Sequence, residues 1–331
     1  MGFEFMKKIC FVVCYFGKLP DYFQLWLYSC GFNDTIDFLV FTDDCRKFIV
    51  PANVKIVNCS FDFVKKRIQN IFTFNVRLER AYKLCDFKPT YGEAFQDYLK
   101  TYQFWGYCDI DLIWGNIRRF LTDEILEQYD RILTRGHCSL FRNIQEINIL
   151  YRTLTSEGCQ YYKDVYMNSE NRGYDEWAGH LGWGISEIFR RNKINQYDEK
   201  IYIDPSFIKG RFYFPDDYTA LEKNYVVKYT RGTLYALYDH MGEIVEKEYM
   251  YFHFQKRKLV YECDINNIVN EGILIVPPNR MVQYPGIIDE SMIHKYRNYF
   301  GCYFFPLKYK FNGARNKFKL LIKDFYSKNK K

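Results

Sequence analysis

Two aspartates, Asp109 and Asp111, stand one residue apart at the end of an apolar segment, FWGYCDIDLIWGN (104–116). On a strand, side chains two positions apart point to the same face. Two carboxylates held so close repel each other, and one tends to stay protonated. A divalent cation removes this conflict, and hard oxygen ligands favour Mg²⁺ or Mn²⁺. The simpler alternative is that one aspartate caps the next helix while the other makes a surface ion pair.

The elements around this pair alternate between strand and helix patterns. Apolar runs predict strands over 7–17, 36–44, 53–60 and 104–111, and amphipathic runs predict helices over 21–31, 61–72 and 117–129. Residues 78–99 are predicted to be mostly helical but broken at Pro89 and Gly92. Such alternation predicts a doubly wound, mostly parallel α/β sheet flanked by helices, in which ligands lie beyond the carboxyl ends of the strands. We therefore expect YFGK (15–18), FTDD (41–44) and CDID (108–111) to converge on one crevice.

The second half of the chain is predicted to be richer in extended segments. The sequence indicates an extended segment over 130–143, helices over 146–156 and 174–191, and then a small β-rich region with tight turns near Gly232 and Gly242. We expect one continuous domain over 1–306, with a more variable half that begins at about residue 131. A basic helical tail over 307–331 follows.

Charge and cysteine usage restrict the setting in which the chain works. Nine Lys and Arg against one Asp give residues 308–331 a charge of +8, so the rest of the chain sums to −1 out of +7. This tail suits either an anionic membrane surface or packing on the domain as an amphipathic helix, and it predicts no nucleic-acid binding. The 11 cysteines contain no C-x-x-C pair, which favours free thiols in a reducing cytoplasm. The sequence predicts neither a signal peptide nor a membrane span.

At this point the sequence resembles a known family. FWGYCDIDLIWGN resembles the metal-binding Asp-x-Asp segment of nucleotide-diphosphosugar glycosyltransferases with the GT-A fold. Over most of its length the chain is similar to glycosyltransferases encoded in bacterial capsule and lipopolysaccharide clusters. The segments that carry the likeness are FVVCYFGKLPDYFQLWLYSC, FLVFTDD, YKLCDFKPTYGEAF, GYCDIDLIWGN, GHCSLFRN, YDEWAGH and YFHFQKRK.

The resemblance implies a metal-dependent transferase of surface-polysaccharide synthesis, cytoplasmic and peripheral at the inner face of the membrane. It would move a sugar from a nucleotide-diphosphosugar, most often a UDP-sugar, to a glycan or lipid-linked acceptor. A nucleotide-binding half would span about 6–130, and an acceptor and metal-closing half would span about 131–306. The nucleoside would be held by the first strand's loop and the acidic end of the second strand, through Tyr15, Phe16, Gly17, Thr42 and Asp43.

The resemblance also implies a metal and phosphate site. Asp109 and Asp111 would hold Mn²⁺ or Mg²⁺ on the diphosphate, and His253 in YFHFQKRK would complete the metal shell. The lysines that follow, Lys256 and Lys258, would neutralise phosphate. The alternative for His253 is an ordinary half-buried strand residue.

Two further segments would contact the donor. In YKLCDFKPTYGEAF, the side chains of Lys83, Asp86 and Lys88 would reach base, ribose or phosphate, unless they are solvated charges beside a bend. In RGHCSLFRN, His137 and Asn143 would contact the donor sugar.

The acceptor hydroxyl needs a general base if the enzyme inverts the anomeric configuration. The sequence YDEWAGH offers Asp175 and Glu176, both expected in the first turn of a helix, where amides favour carboxylates. Simple helix capping is the alternative for Asp175. In a retaining enzyme these acids would bind sugar hydroxyls instead.

Two other functions remain open at this stage. A sugar-nucleotidyltransferase shares the sheet and metal but expects a glycine-rich loop after the first strand, where CYFGKLPDYF has one glycine. A non-catalytic, membrane-associated carbohydrate-binding protein would use the aromatic residues and the basic tail, but would have no need of two strand-end aspartates.

Overall fold

The structure is a computed structural model of the 331-residue chain. It describes residues 8–154, 157–179, 182–206, 210–212, 225–255, 257–264, 272–303 and 305–306. Two predictions, the role of Lys256 and the basic tail over 307–331, lie outside these residues. The chain forms two compact units, residues 1–201 and 202–331. The boundary between them falls later than the predicted functional division near residue 130, which stays a prediction.

A mixed sheet forms the centre of the first unit. Its strands are β1 (Ile9–Cys14), β2 (Ile36–Thr42), β3 (Val54–Asn58), β4 (Phe104–Cys108), β6 (Arg131–Arg135), β7 (Cys138–Arg142) and β10 (Gln196–Tyr197). A short strand, β5 (Leu112–Trp114), follows β4, and β8 (Ala178–Gly179) pairs with β9 (Gly182–Trp183). The order in the sheet is β10-β6-β7-β4-β1-β2-β3. Strand β1 is parallel to β2 and β4, and β2 to β3, whereas β7 is antiparallel to both β4 and β6.

Helices flank this sheet, and most of them are short. They are α1 (Phe23–Gly31), α2 (Phe61–Asn70), α3 (Leu84–Phe87), α4 (Tyr91–Ala94), α5 (Gln96–Leu99), α6 (Ile117–Phe120), α7 (Asp123–Gln128), α8 (Gln145–Asn148), α9 (Tyr162–Tyr166) and α10 (Ile185–Arg191). Single 3-10 turns occur at Ala81–Lys83, Lys88–Thr90 and Leu150–Arg152. The segment 78–99, predicted as a helix broken at Pro89 and Gly92, is a series of short turns: Pro89 lies in the 3-10 turn Lys88–Thr90, whereas Gly92 lies inside α4.

The strands of the sheet are apolar because both faces are covered. Residues Ile9 to Val13 of β1 are at most 4% exposed, as expected for a central parallel strand. Phe11 stacks on Phe38 with ring centroids 5.5 Å apart, and Trp105 of β4 stacks on Phe141 at 4.7 Å. The rigid core therefore fixes where each strand ends.

The α/β prediction is confirmed as a multi-stranded mixed sheet flanked by helices. The predicted convergence of strand ends is confirmed as well. Parallel pairing of β1 with β2 and β4 brings their carboxyl ends to one edge, with Cys14 opposite Phe41 and Val12 opposite Tyr107. Segments 15–18, 43–44 and 109–111 leave the sheet at this edge.

The predicted helix over 174–191 is wrong in its first half. Helix α10 begins only at Ile185, after the β8–β9 pair. Glycine is a poor helix former, and here it allows backbones to approach closely: a Cβ on Gly179 would lie 1.7 Å from the carbonyl oxygen of Arg172. Asp175 and Glu176 therefore do not occupy the first turn of a helix.

The second unit is rich in β-strands. They are β11 (Tyr202–Ile203), β12 (Tyr225–Thr230), β13 (Thr233–His240), β14 (Glu243–Glu248), β15 (Tyr251–His253), β16 (Val260–Tyr261), β17 (Ile273–Val276) and β18 (Arg280–Gln283), with helix α11 over Glu290–Arg297. The order β14-β13-β12-β17-β18-β16 forms one sheet, and β11 pairs with β15 in parallel. Both predicted tight turns are confirmed: Arg231–Gly232 and Met241–Gly242 have positive φ and join antiparallel strands. Among the described residues, none of the helices combines the length and apolar character needed to cross a membrane.

Candidate functional site

The acid pair lies directly after β4, at the carboxyl edge of the first unit's sheet. Asp109 and Asp111 are partly exposed, while Ile110 between them is 5% exposed and points into the core. The backbone N–H of Asp109 donates to the carbonyl oxygen of His137 at 2.9 Å. That bond ties the acid pair to the Gly136–His137 turn between β6 and β7.

Lys88 links this pair to other acids. Its ammonium donates to Asp109 Oδ1 at 2.7 Å and to the carbonyl oxygen of Gly136 at 2.6 Å, and lies 3.6 Å from Asp175 Oδ2. Burial alone would lower the pKa of Lys88, but the neighbouring acids, Asp109 first, outweigh it and raise that pKa well above its usual value. Lys88 therefore stays charged and neutralises part of the acid cluster. Its side chain is 9% exposed, which favours an internal counter-ion over the predicted open phosphate contact.

Asp175 and Glu176 complete the cluster in two different environments. The Asp175 side chain is 5% exposed, and burial raises its pKa to about 7 against the opposing charge of Lys88. Its carbonyl oxygen accepts a hydrogen bond from the Tyr107 hydroxyl at 3.0 Å. Glu176 is exposed and lies against Gly136, where an added Cβ would come within 2.5 Å of Glu176 Oε1. One acid is thus buried and titrates near neutrality, and the other faces solvent.

The loop after β1 meets the end of β2. The N–H of Gly17, with φ +97°, donates to Asp43 Oδ1 at 2.7 Å, and the N–H of Tyr15 donates to the carbonyl oxygen of Phe41 at 2.9 Å. Partial burial, followed by the charge of Asp111, raises the pKa of the Tyr15 phenol. The predicted residues Tyr15, Gly17, Asp43 and Asp111 are therefore brought to one edge.

Phe16 and Thr42, the other two residues predicted to hold the nucleoside, differ in exposure. The ring of Phe16 packs against Phe61 with centroids 5.4 Å apart. Thr42 is 0% exposed, and its hydroxyl oxygen accepts from the N–H of Asp44 at 3.2 Å. The Thr42 side chain is therefore closed to a ligand, whereas Phe16 is only partly buried and its contact with the nucleoside stays a prediction.

Lys83 and Asp86 form a separate, closed ion pair. Lys83 Nζ lies 2.8 Å from Asp86 Oδ2, and both side chains are 0% exposed. The remaining partners are backbone groups of residues 165, 170, 172 and 174. The predicted contact of this pair with nucleotide is not supported, because neither side chain has a surface open to a ligand.

Of the two predicted sugar contacts, His137 lies at the site edge and Asn143 lies away from it. Because β7 is antiparallel to β4, the residue after β7 meets the beginning of β4: the Asn143 N–H donates to the carbonyl oxygen of Gln103 at 2.8 Å. The Asn143 amide also donates to the carbonyl oxygens of Leu99 and Tyr102. Strand direction thus places Asn143 at the opposite end of β4 from Asp109, and this position does not support the predicted contact with the donor sugar. His137 lies in the turn that pairs with Asp109.

In the second unit, His253 ends strand β15 and is 8% exposed. Its Nδ1 lies 3.0 Å from Asp204 Oδ1. Lys258 is exposed, as a phosphate contact requires. The roles of both residues stay predictions.

Two residues with a place in these sites were missed by the sequence analysis. Tyr82 is 63% exposed, and its phenol has a raised pKa through partial burial and then the neighbouring Cys85, Asp109 and Asp175; no spacing in the sequence indicates this proximity. Asp204 follows the short apolar run IYI. That pattern, an acid at a strand end, is the one that singled out Asp43 and Asp109.

The donor set at the carboxyl edge fits a hard divalent cation. Asp109 and Asp111 supply carboxylate oxygens, the ligands that Mg²⁺ and Mn²⁺ prefer. Lys88 contacts one oxygen of Asp109, and a carboxylate has a second oxygen with further lone pairs. The partial exposure of both acids also suits a metal that shares its shell with water and phosphate.

Comparison with known proteins gives a family without an assigned activity. No curated protein matches the chain. A family model described as a family of unknown function, DUF6625, matches residues 11–284. This match spans the sheet, the acid cluster and most of the second unit, and the chain therefore belongs to the DUF6625 family.

Proposed function

We propose that the chain is a metal-dependent glycosyltransferase of the GT-A type. It would transfer a sugar from a nucleotide-diphosphosugar, in the form of a UDP-sugar, to a glycan or lipid-linked acceptor. The observation that carries the proposal is the meeting of Asp109 and Asp111 with the Tyr15–Gly17 loop and Asp43 at the carboxyl ends of three parallel strands. In open α/β sheets this edge is where ligands bind.

In this proposal Asp109 and Asp111 hold Mn²⁺ or Mg²⁺. The bound cation would supply neutralisation of the diphosphate leaving group. His253 as a further metal ligand stays a prediction from the resemblance. One oxygen of Asp109 is shared with the Lys88 ammonium, which leaves its second oxygen for a cation.

The nucleoside would bind at the loop after β1. Asp43 is exposed and already fixed by the Gly17 N–H at 2.7 Å, so its carboxylate is pre-oriented to accept hydrogen bonds from ribose hydroxyls. Tyr15 and Tyr82 offer aromatic surface near Asp111 and Asp109 respectively. A base or sugar ring stacks well on such faces.

The acceptor side would use the acid cluster. Glu176 is exposed beside Gly136, and is the better placed of the two acids to take a proton from an acceptor hydroxyl in an inverting reaction. Asp175 is buried against Lys88, and would position that lysine and set the charge of the cluster. In a retaining reaction Glu176 would bind sugar hydroxyls.

Titration calorimetry with UDP, with and without Mn²⁺, tests this proposal. We expect metal-dependent UDP binding by the wild type and a loss of at least about tenfold in affinity for Asp111→Ala. Asp34→Ala, which removes an exposed aspartate outside the acid cluster, is the matched control and should bind as the wild type does. UDP binding that ignores Mn²⁺, or no nucleotide binding at all, would contradict the proposal.

A donor screen identifies the sugar. Each nucleotide-sugar is incubated with the protein and Mn²⁺, and the released nucleoside diphosphate is measured. We expect the protein to turn over one donor, and we expect EDTA to abolish that turnover. Repeating that assay with anionic vesicles tests whether the chain acts at a membrane surface.

A further inference from the structure

Two short parallel strands of the second unit bring an aspartate beside a histidine. In the pairing of β11 with β15, Tyr202 lies opposite Tyr251 and Ile203 opposite Phe252. The tyrosine rings stack with centroids 5.1 Å apart and planes 5° from parallel. The next residues in this register are Asp204 and His253, and Asp204 Oδ1 lies 3.0 Å from His253 Nδ1.

The aspartate in this pair is held from several sides. The side-chain amide of Gln255 donates to the same oxygen, Asp204 Oδ1. Arg257, which is 2% exposed, fixes the following backbone by donating to the carbonyl oxygens of Pro205 at 3.0 Å and Ser206. It also donates to the carbonyl oxygen of Pro278 at 3.1 Å. The Asp204 carboxylate is therefore a fixed acceptor and not a mobile surface charge.

A fixed carboxylate determines which nitrogen of a neutral imidazole carries the proton. An ionised aspartate only accepts hydrogen bonds, and a neutral histidine has one N–H and one lone-pair nitrogen. The 3.0 Å contact is a hydrogen bond only if Nδ1 carries the hydrogen. The lone pair is then on Nε2. Histidines that bind metals usually have their other nitrogen held in this way.

We propose that Asp204 is a positioning residue that holds His253 in the Nδ1–H tautomer, with Nε2 as the metal-binding nitrogen. This inference rests on the proposed function, in which His253 binds the metal. It adds a residue that contacts neither substrate nor cation and acts only through the histidine ring.

The tautomer can be measured in the metal-free protein by ¹⁵N NMR. Spectra are recorded at alkaline pH, where histidine rings are neutral, and His253→Gln identifies the signals of this ring among those of the 5 histidines. We expect the wild type to carry its proton on Nδ1. Asp204→Ala should lose this preference, and Asp204→Asn, which keeps an acceptor oxygen, should retain part of it.

Metal affinity gives the second measurement. With UDP present, we expect Asp204→Ala to lower Mn²⁺ affinity by about 10–100-fold, with Asp204→Asn between it and the wild type. Glu290→Ala is the control, because Glu290 lies 3.3 Å from His294 in an exposed helical pair, and it should leave Mn²⁺ affinity unchanged. Melting temperatures of the three variants show whether each is folded.

The outcomes separate the two proposals. A wild-type ring that carries its proton on Nε2 would overturn the role of Asp204, even if Asp204→Ala weakens Mn²⁺ binding by removing a direct ligand. A wild type that binds no Mn²⁺ would overturn the proposed function, while the NMR result would still decide whether Asp204 fixes the tautomer.

Discussion

Two lysines of one segment, Lys83 and Lys88, each pair with an aspartate and yet lie in opposite environments. Lys83 and Asp86 are joined at 2.8 Å with both side chains 0% exposed. Lys88 and Asp109 are joined at 2.7 Å, but 38% of the Asp109 side chain is exposed. The distance between the charges is almost the same, so the difference lies in what surrounds them.

The closed pair has its hydrogen bonds filled by backbone. Asp86 accepts from the N–H groups of Arg172 and Tyr174, at 2.9 and 3.0 Å, in addition to Lys83. Such a pair connects the 81–87 turns to residues 165–174 and has little capacity for another ligand. The open pair differs because one ammonium serves Asp109 and the buried Asp175, while the neighbouring Asp111 is partly exposed. We therefore base the proposed ligand site on several carboxylates at an open edge, and not on an ion pair as such.

The closed pair should give the largest loss of stability. Removing one member of a buried pair leaves the other charge uncompensated, which costs about 3–5 kcal/mol. We expect Lys83→Met to lower the free energy of unfolding by that amount, as measured by urea denaturation. Added Mn²⁺ should not restore it, since no metal ligand of the proposed site contacts Lys83. A loss below about 1 kcal/mol would contradict the view that this pair is structural.

The open pair should be more tolerant and should respond to metal. In Lys88→Met, the Asp109 carboxylate can turn to solvent and the Asp175 carboxylate can take up a proton. We therefore expect the free energy of unfolding, measured in EDTA, to fall by about 1–3 kcal/mol. A cation that binds the folded state stabilises it, and without Lys88 it no longer shares Asp109 with an ammonium. The rise in melting temperature on adding Mn²⁺ should therefore be larger in Lys88→Met than in the wild type. Equal rises in both proteins would show that Lys88 and the metal do not share Asp109.

Features that depend on neighbouring residues could be predicted from the sequence, and features that depend on pairing between distant segments could not. Strand ends at 15–18, 41–44 and 108–111 were predictable because apolar runs are local signals and parallel strands share an edge. The position of Asn143, away from Asp109, could not be predicted because the reversal of β7 depends on its pairing with β4 and β6, which no local pattern shows. The helix expected at Asp175 was wrong because glycines at 179, 182 and 184 favour a close-packed strand pair instead.

The surroundings of the two buried lysines also could not be predicted from local sequence patterns. Lys83 and Lys88 lie in the same short segment with similar neighbours in the sequence. No local pattern shows that Lys83 is surrounded by backbone groups and that Lys88 contacts the acid cluster. That distinction arises from segments far along the chain, residues 165–174 for one and 136 and 175 for the other. Asp204, in contrast, could have been predicted as a candidate site residue, because it is an acid directly after an apolar strand.

The pH dependence of stability should reveal the burial of Asp175 beside Lys88. The folded-state pKa of Asp175 is raised to about 7 by burial, above the ordinary aspartate value of about 3.9 that applies when unfolded. Between these values the folded state binds more protons than the unfolded state, so the contribution of Asp175 to stability falls as pH rises from about 4 to 7. We expect the unfolding free energy of the wild type, minus that of Asp175→Asn, to decrease across this window. A difference that is flat, or that increases with pH, would contradict the burial argument.

The smallest effect on stability is expected at Glu176, the most exposed acid of the cluster. Surface substitutions usually change stability by less than about 0.5 kcal/mol, so Glu176→Gln should unfold as the wild type does. If Glu176 is the general base, turnover of the donor identified by the screen should fall by about 10²-fold or more with little change in KM. Gly136→Ala offers an independent way to reach the same side chain, because a Cβ there would lie 2.5 Å from Glu176 Oε1 and must displace it. We expect both variants to unfold as the wild type does and to turn over the donor more slowly. Full turnover by Glu176→Gln would mean that another group takes the proton, or that the reaction needs no general base.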